Sequence, residues 1–141
     1  MSPEDKVLQK IRSVLIADAV IESYTRKRVY ASHISSIQEP VYPAISLFLL
    51  SSNARFHEFD YVDMDIQIDA WLLLKNNNIQ DVLELAKKIR ACLHRQNLTD
   101  STISSDGLIV ALCSESEAGP FLYEEDMSII HYPMRYKVIA K

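Results

Sequence analysis

Residues 61–73 carry the clearest strand pattern in the chain and decide its fold. They are Tyr-Val-Asp-Met-Asp-Ile-Gln-Ile-Asp-Ala-Trp-Leu-Leu. Apolar side chains occupy alternate positions, at Val62, Met64, Ile66, Ile68, Ala70 and Leu72. The positions between them hold Tyr61, Asp63, Asp65, Gln67, Asp69 and Trp71. Because successive side chains of a strand point to opposite faces, the pattern predicts a strand with one apolar and one largely acidic face.

Three further segments are predicted as strands: Pro43–Leu50, Leu108–Cys113 and Met127–Ala140. The first is apolar on both faces, which indicates a strand that is central or covered on both sides. The last alternates again and contains Pro133, which favours an edge strand or a bulge. Residues 51–60 are predicted to be a polar connection.

The helices are predicted from apolar spacing and from their end signals. Ser2 and Pro3 start a helix that reaches residue 15, and a second short helix is expected after Asp18. A third helix is predicted over Ile79–Gln96, with Asn97 as its left-handed stop. Its apolar stripe is Ile79, Val82, Leu83, Ala86, Ile89 and Leu93.

The order helix, strand, strand, helix, strand, strand predicts the fold class. It indicates an α+β protein with a mixed, mostly antiparallel sheet and two main helices packed on one face. The length of 141 residues fits a single domain that covers residues 1–141.

Composition excludes several classes of protein. Fifteen Lys and Arg against nineteen Asp and Glu give a net charge of −4, which argues against a dedicated nucleic-acid-coating protein. The only glycines, Gly107 and Gly119, leave no glycine-rich phosphate loop. The polar, acidic start does not resemble a signal peptide, and the apolar stretch Ala44–Leu50 is too short to cross a membrane. A soluble protein made in the cytoplasm is expected.

The search for reactive residues predicts no catalytic, cofactor or metal site. The four histidines, His33, His57, His94 and His131, show no metal-ligand spacing. The two cysteines, Cys92 and Cys113, form no CxxC motif and are interpreted as small buried hydrophobes.

Three carboxylates, Asp63, Asp65 and Asp69, share one face of the predicted strand and allow three interpretations. They could bind a divalent metal, although their spacing along a strand splays them apart. They could form an acidic surface that faces a negatively charged object. The favoured interpretation is pairing across strands with His131, Arg135 and Lys137.

Aromatic and basic residues of the predicted connection are candidates for a protein interface. Phe56 and Phe59 lie between polar residues, next to Arg55 and His57. Exposed aromatic side chains in a loop either fold back on the core or contact a partner.

A basic cluster of Arg26, Lys27 and Arg28 follows the second predicted helix. Tyrosines flank it at both ends, a mixture that nucleic-acid-binding proteins also show. The favoured interpretation is a solvated helix end, since three cations give only a modest phosphate contact.

An ordered series of short motifs resembles the tail-completion proteins of long-tailed bacteriophages, which are also called tail terminators or tail-to-head joining proteins. The series runs through the chain as Arg28-Val29-Tyr30, Tyr42-Pro43-Ala44-Ile45, Gln67–Trp71, Asp81–Leu93 and Tyr136-Lys137-Val138. None of these motifs is catalytic, and their order and spacing carry the resemblance.

The resemblance implies a structural role in a virion and no enzymatic activity. Such proteins form a homohexameric ring on the last ring of the tail tube and present a surface to the head-tail connector, or stopper. DNA passes through the lumen, for which Asp63, Asp65 and Asp69 are candidate lining residues. The loops around Phe56 and Phe59 and the segment Ser114–Asp126 are candidate docking loops.

The implied partners are therefore copies of the chain, the tail tube protein and the head-tail connector, with no membrane. The implied location is the tail-neck region of a virion that is made in the bacterial host cytoplasm. Three alternatives remain open: a neighbouring neck protein, a small nucleic-acid-binding module, and a small enzyme with a pocket around Asp63 and His131.

Overall fold

The computed structural model describes residues 2–31, 41–56, 60–75, 78–100, 107–124 and 128–141. Within them the chain forms three helices, α1 (Pro3–Ala17), α2 (Ala19–Thr25) and α3 (Ile79–Leu93). The strands are β1 (Val29–Tyr30), β2 (Ala44–Phe56), β3 (Tyr61–Leu73), β4 (Val110–Ala118), β5 (Leu122–Glu124) and β6 (Ile129–Ala140).

The strands form one sheet in the order β1-β2-β3-β6-β4, and β5 also pairs with β6. The short β1 runs parallel to β2, and every other described pair is antiparallel. The helices pack against one face of this sheet. The predicted α+β class, with a mixed, mostly antiparallel sheet, is confirmed.

The hydrophobic core lies between the helices and the sheet. α1 contributes Val7, Ile11 and Leu15, and α3 contributes Val82, Leu85, Ala86, Ile89 and Leu93. The two central strands contribute Met64, Ile66, Ile68, Ala70 and Leu72 from β3 and Met134, Tyr136, Val138 and Ala140 from β6. The alternation predicted for both strands therefore sorts their side chains between core and surface as expected.

The apolar stripe of α3 differs from the predicted one. Leu85 is fully buried, whereas Leu83 is 45% exposed and Ile79 is 42% exposed. The apolar residues of this helix span a wide arc, and only the position of the sheet decides which side of the arc is covered. The helix also ends at Leu93, because Arg95, with a φ of 57°, takes the left-handed conformation predicted for Asn97.

The predicted connection over residues 51–60 is largely wrong, because β2 continues to Phe56. A shift of register at Leu50 separates the apolar half of the strand from Ser51, Ser52 and Asn53, which are exposed. The predicted docking segment Ser114–Asp126 is also mostly strand, since β4 extends to Ala118 and β5 covers Leu122–Glu124.

The edge position predicted from Pro133 is wrong, because β6 lies between β3 and the strands β4 and β5. The carbonyl of Pro133 accepts a hydrogen bond from Gly119 N at 2.8 Å, where β4 ends. The N–H and C=O of a strand residue point to the same side. The backbone nitrogen of Pro133, which carries no hydrogen, therefore faces the break between β4 and β5. No regular strand pairing is interrupted there.

Asp18 joins α1 to α2 and caps the second helix. Its Oδ1 accepts hydrogen bonds from Val20 N at 2.9 Å and Ile21 N at 3.0 Å. The hydrogen bond from Ile21 is the main reason that the pKa of the Asp18 carboxyl lies below its ordinary value. Folding is therefore coupled to the ionisation of this carboxyl.

Replacing Leu85 with alanine should lower the free energy of unfolding by about 2–5 kcal/mol, because a fully buried side chain leaves a cavity. Leu83→Ala is the matched control on the same helix and should change it by less than about 0.5 kcal/mol. Urea denaturation measures both. Equal losses in the two variants would contradict the observed orientation of α3.

Replacing Asp18 with asparagine keeps the cap but removes the ionisation. The pKa of Asp18 is lowered in the native state, so its ionised form stabilises the fold above the ordinary Asp pKa, and this gain disappears as the pH falls through the native pKa. Wild type should therefore be more stable than Asp18→Asn at pH 7 and lose that advantage on acidification below about pH 4. Asp18→Ala, which also removes the cap, should cost about 1 kcal/mol. A wild-type advantage that stays constant in denaturation at pH 7 and pH 3 would refute this coupling.

Candidate functional site: the open face of the sheet

The face of the sheet opposite the helices, here called the open face, holds the polar side chains of the two central strands. β3 presents Asp63, Asp65, Gln67, Asp69 and Trp71, and β6 presents His131, Pro133, Arg135, Lys137 and Ile139. The register pairs Asp65 with Lys137, Gln67 with Arg135 and Trp71 with His131. The open face is thus lined by charges of both signs in adjacent rows.

Lys137 joins the two outer acids of β3. Its Nζ lies 3.3 Å from Asp63 Oδ1 and 3.8 Å from Asp65 Oδ1. Cross-strand pairing of Asp63 and Asp65 with Lys137, the favoured interpretation of the sequence, is confirmed. Asp65 and Lys137 keep about a third of their side chains exposed, so their pair contributes at most about 1 kcal/mol.

Arg135 pairs on the other side of its strand. Its Nη1 lies 3.9 Å from Glu117 Oε2 on β4, and 47% of the Arg135 side chain and 68% of the Glu117 side chain are exposed. The expected pair of Arg135 with a carboxylate of β3 does not form, because the residue opposite it is Gln67. This long, exposed pair leaves Arg135 available to a partner.

Asp69 lies at the centre of a buried polar network. It is fully buried, and its carboxylate accepts hydrogen bonds from Gln67 Nε2 at 3.0 and 3.2 Å. His131 Nε2 lies 3.1 Å from Asp69 Oδ1, as the favoured interpretation predicts. These contacts stabilise a carboxylate that would otherwise be costly to bury.

His131 extends this network to an aromatic stack. Its ring lies 3.9 Å from that of Trp71 with an angle of 8° between their planes. Trp71 Nε1 in turn donates a hydrogen bond to Ser46 Oγ on β2 at 2.9 Å. The network therefore links the three strands β2, β3 and β6. The sequence signal for this network is a set of polar residues on one face of neighbouring strands, namely Ser46, Gln67 and Asp69.

The burial of Asp69 bears on the acids expected to line a lumen. Its carboxylate lies beneath the surface of the chain, whereas the side chains of Asp63 and Asp65 are 13% and 31% exposed. Asp65 is thus the most accessible of the three. A lumen requires neighbouring copies, so the assignment of these acids to it stays a prediction.

A shallow cleft of about 250 Å³ opens beside His131, where β4 gives way to β5. Its lining includes Gln67, Glu117, His131 and Arg135. Pockets for small molecules usually measure about 300–1,000 Å³. No Ser, Thr, Cys or Lys lies among the described residues that line the cleft.

The basic cluster separates into two parts. Arg26 and Lys27 are exposed at the end of α2, both with positive φ, of 48° and 67°. Arg28 instead bonds to two backbone carbonyls of the chain. Its Nε donates to Pro43 O at 3.0 Å and its Nη2 donates to Tyr24 O at 3.5 Å. Arg26 and Lys27 therefore remain as exposed candidates for an interface.

The predicted aromatic interface falls mostly outside the described residues. Arg55 and Phe56 end β2, but their side chains are not among the described ones, and His57 and Phe59 lie outside the described residues. The role of these four residues stays a prediction.

The described part of the chain holds no group of three or more His, Cys, Asp and Glu side chains arranged to bind a metal ion. Among its helices, none combines the length and the apolar character needed to cross a membrane.

Comparison with known proteins reveals a shared fold. No family model matches the chain, and no curated protein matches it. A chain of a solved structure described as "Virion of native gene transfer agent (GTA) particle" aligns with a TM-score of 0.72. The alignment covers 96% of this chain and 95% of that chain, with 12% sequence identity. The TM-score shows that the two chains share a fold, and at this identity the comparison shows the fold alone.

Replacing His131 with phenylalanine tests the buried network. The variant keeps a ring beside Trp71 but removes the nitrogen that contacts Asp69, so we expect a loss of about 1.5–3 kcal/mol in unfolding free energy. Lys137→Met is the control, because it breaks the more exposed pairs of the same face and should cost less than about 1 kcal/mol. Chemical denaturation of both variants measures the difference. A His131→Phe variant as stable as wild type would show that the contact with Asp69 does not stabilise the fold.

Proposed function

We propose that this chain is a structural protein of a phage-like virion and forms a ring that ends the tail tube and joins it to the head connector. The observation that carries the proposal is the fold shared, over nearly the full length of both chains, with a chain of a virion particle. The ordered motifs that resemble tail-completion proteins support the specific place in the tail.

The motifs of that resemblance fall on the elements that build the sheet and its helical cover. Arg28-Val29-Tyr30 forms β1 and its entry, and Gln67–Trp71 lies in the central strand β3. Asp81–Leu93 lies in α3, and Tyr136-Lys137-Val138 lies in β6. The resemblance therefore concerns the scaffold, which suits a protein that acts by assembly.

A ring of identical subunits needs contacts between two different surfaces of each copy. The open face and the outer edge of β2 offer such surfaces. On the surface of the open face the carboxylates Asp63, Asp65 and Glu117 stand against the cations Arg135 and Lys137, while Asp69 lies beneath it. The acidic balance of this face would let DNA pass a lumen without binding to it.

The proposed role is non-catalytic, and the partners are copies of the chain, the tail tube protein and the head-tail connector. Nucleic-acid binding is less favoured, because Arg28 holds backbone carbonyls and only Arg26 and Lys27 of the cluster are exposed. Two phosphate contacts add little affinity at physiological salt.

The proposal is tested by adding labelled, purified protein to tail tubes of the same particle. Electron microscopy should show the label at one end of each tube. Native mass spectrometry should give the mass of an assembly of six copies. The variant with Phe56→Ser and Phe59→Ser should keep its circular dichroism spectrum and melting temperature but lose tube binding.

Two results would count against the proposal. A protein that stays monomeric and does not bind to tube ends would contradict the proposed role as a tail terminator. A label that binds only isolated head connectors would indicate the neighbouring neck protein instead. If the double variant unfolds, Phe56 and Phe59 belong to the core and the tube-binding assignment of these residues is wrong.

A further inference from the structure

The outer edge of β4 is closed by the connection from α3. Thr99 Oγ1 accepts a hydrogen bond from Val110 N at 2.9 Å and donates one to Val110 O at 3.4 Å. Arg95 N donates to Cys113 O at 2.7 Å, and Glu115 N donates to His94 Nδ1 at 3.0 Å. These contacts occupy backbone groups that an edge strand would otherwise offer to another chain.

Charge also protects this edge. Glu115 and Glu117 lie on β4, where the register shifts twice along a short strand. Charged side chains and bulges are the usual means by which proteins prevent pairing at a sheet edge. An added strand would have to displace the hydrogen bonds made by Thr99, Arg95 and His94. It would also lie beside the carboxylates of Glu115 and Glu117.

The opposite edge, formed by β2, is closed only at its start. The short β1 pairs with Ile45 and Ser46, and Ile45 N donates to Arg28 O at 3.0 Å. Since outward and inward groups alternate along a strand, the backbone groups of Leu49 also point outward. The register shift at Leu50 exchanges the residues of β2 whose backbone groups point outward with those whose groups point to β3. Ser51 and Asn53 then bond to β3, so the N–H and C=O of Ser52 point outward.

Within the described residues, no group pairs with the outward N–H and C=O of Leu49 and Ser52. The side chains at this edge are also permissive. Ser51, Ser52 and Asn53 are exposed and uncharged, and no proline or lysine lies between Leu47 and Ala54. Among the described residues, the backbone of this edge therefore has no hydrogen-bonded cover like that of β4. The side chain of Ser52 is held on the helix side, where its Oγ donates to Glu4 Oε1 of α1 at 2.8 Å.

We propose that the outer edge of β2 accepts an extended segment of a neighbouring copy of this chain as an added strand. The inference rests on the proposed ring. The acceptor is backbone, so its ligand is an extended peptide that supplies N–H and C=O groups in alternation. In a closed ring every copy has the same neighbour, so each β2 edge receives the same segment.

Because the edge of β4 is closed, the accepting and the donating surfaces of this contact differ. A sheet with two open edges can add strands on both sides and grow without limit. With one open edge, each copy accepts a strand at β2 and donates a segment from elsewhere in the chain. Such a contact joins two different surfaces, and it forms a cyclic ring when the rotation between neighbouring copies closes.

Amide hydrogen exchange tests the inference at single residues. In the dilute monomer the amides of Leu49 and Ser52 should exchange fast, while those of Val110 and Glu115 should be protected. In the ring the amides of Leu49 and Ser52 should slow by about tenfold or more, as amides in stable pairing do. Unchanged exchange at both residues in a ring that has formed would overturn the strand addition and leave the proposed function intact.

A proline substitution tests whether the edge is needed. Ser52→Pro removes an outward N–H, and proline is tolerated where the N–H of an edge strand faces solvent. The variant should keep the melting temperature of Ser52→Ala, the matched control, but show a loss of ring formation in native mass spectrometry. A folded Ser52→Pro variant that forms rings as well as the control would overturn the inference.

The donor is identified by a photo-crosslinking residue in place of Leu50, which is 40% exposed at the register shift of β2. Irradiation of rings on tube ends should give a product of twice the mass of the chain. A product that contains tube protein would overturn the assignment of the donor to a second copy. A chain that never assembles, alone or with tubes, would contradict the proposed function itself.

Discussion

The structure depends on the register in which β3 pairs with β2 and β6. Met64, Ile66 and Ile68 point to the helices only because each pairs with a residue of matching orientation on both sides. A slip of one residue would bring these side chains to the open face and the carboxylates of Asp63, Asp65 and Asp69 into the core. The buried contact of Asp69 with His131 ties β3 to β6 and favours the observed register.

The sequence predicted most reliably the features that depend on local periodicity. The alternation in residues 61–73 and 127–140 predicted both segments as strands and the pairing of Asp63 and Asp65 with Lys137. Features set by neighbours in space were predicted less well. The burial of Leu85 in place of Leu83, the extension of β2 to Phe56 and the central place of Pro133 all depend on elements distant in the chain.

The same distinction explains which parts of the open face could be foreseen. Strand parity placed Asp69 and His131 on one face, but the stack on Trp71 and the hydrogen bond to Ser46 required the register of three strands. The closure of β4 by His94, Arg95 and Thr99 had no sequence signal, because His94 and Arg95 were predicted to lie in the third helix and Thr99 in the polar segment after it.

The proposed function and the proposed strand addition share one structural consequence, which is a ring of copies joined through the edge of β2. A cryo-electron microscopy map of the tail tube end with this protein bound tests that consequence most directly. The account predicts a closed ring of the chain around the lumen, with density for an extra strand beside Leu49 and Ser52 of every copy. Copies that touch only through their helices, or a tube end without this chain, would contradict it.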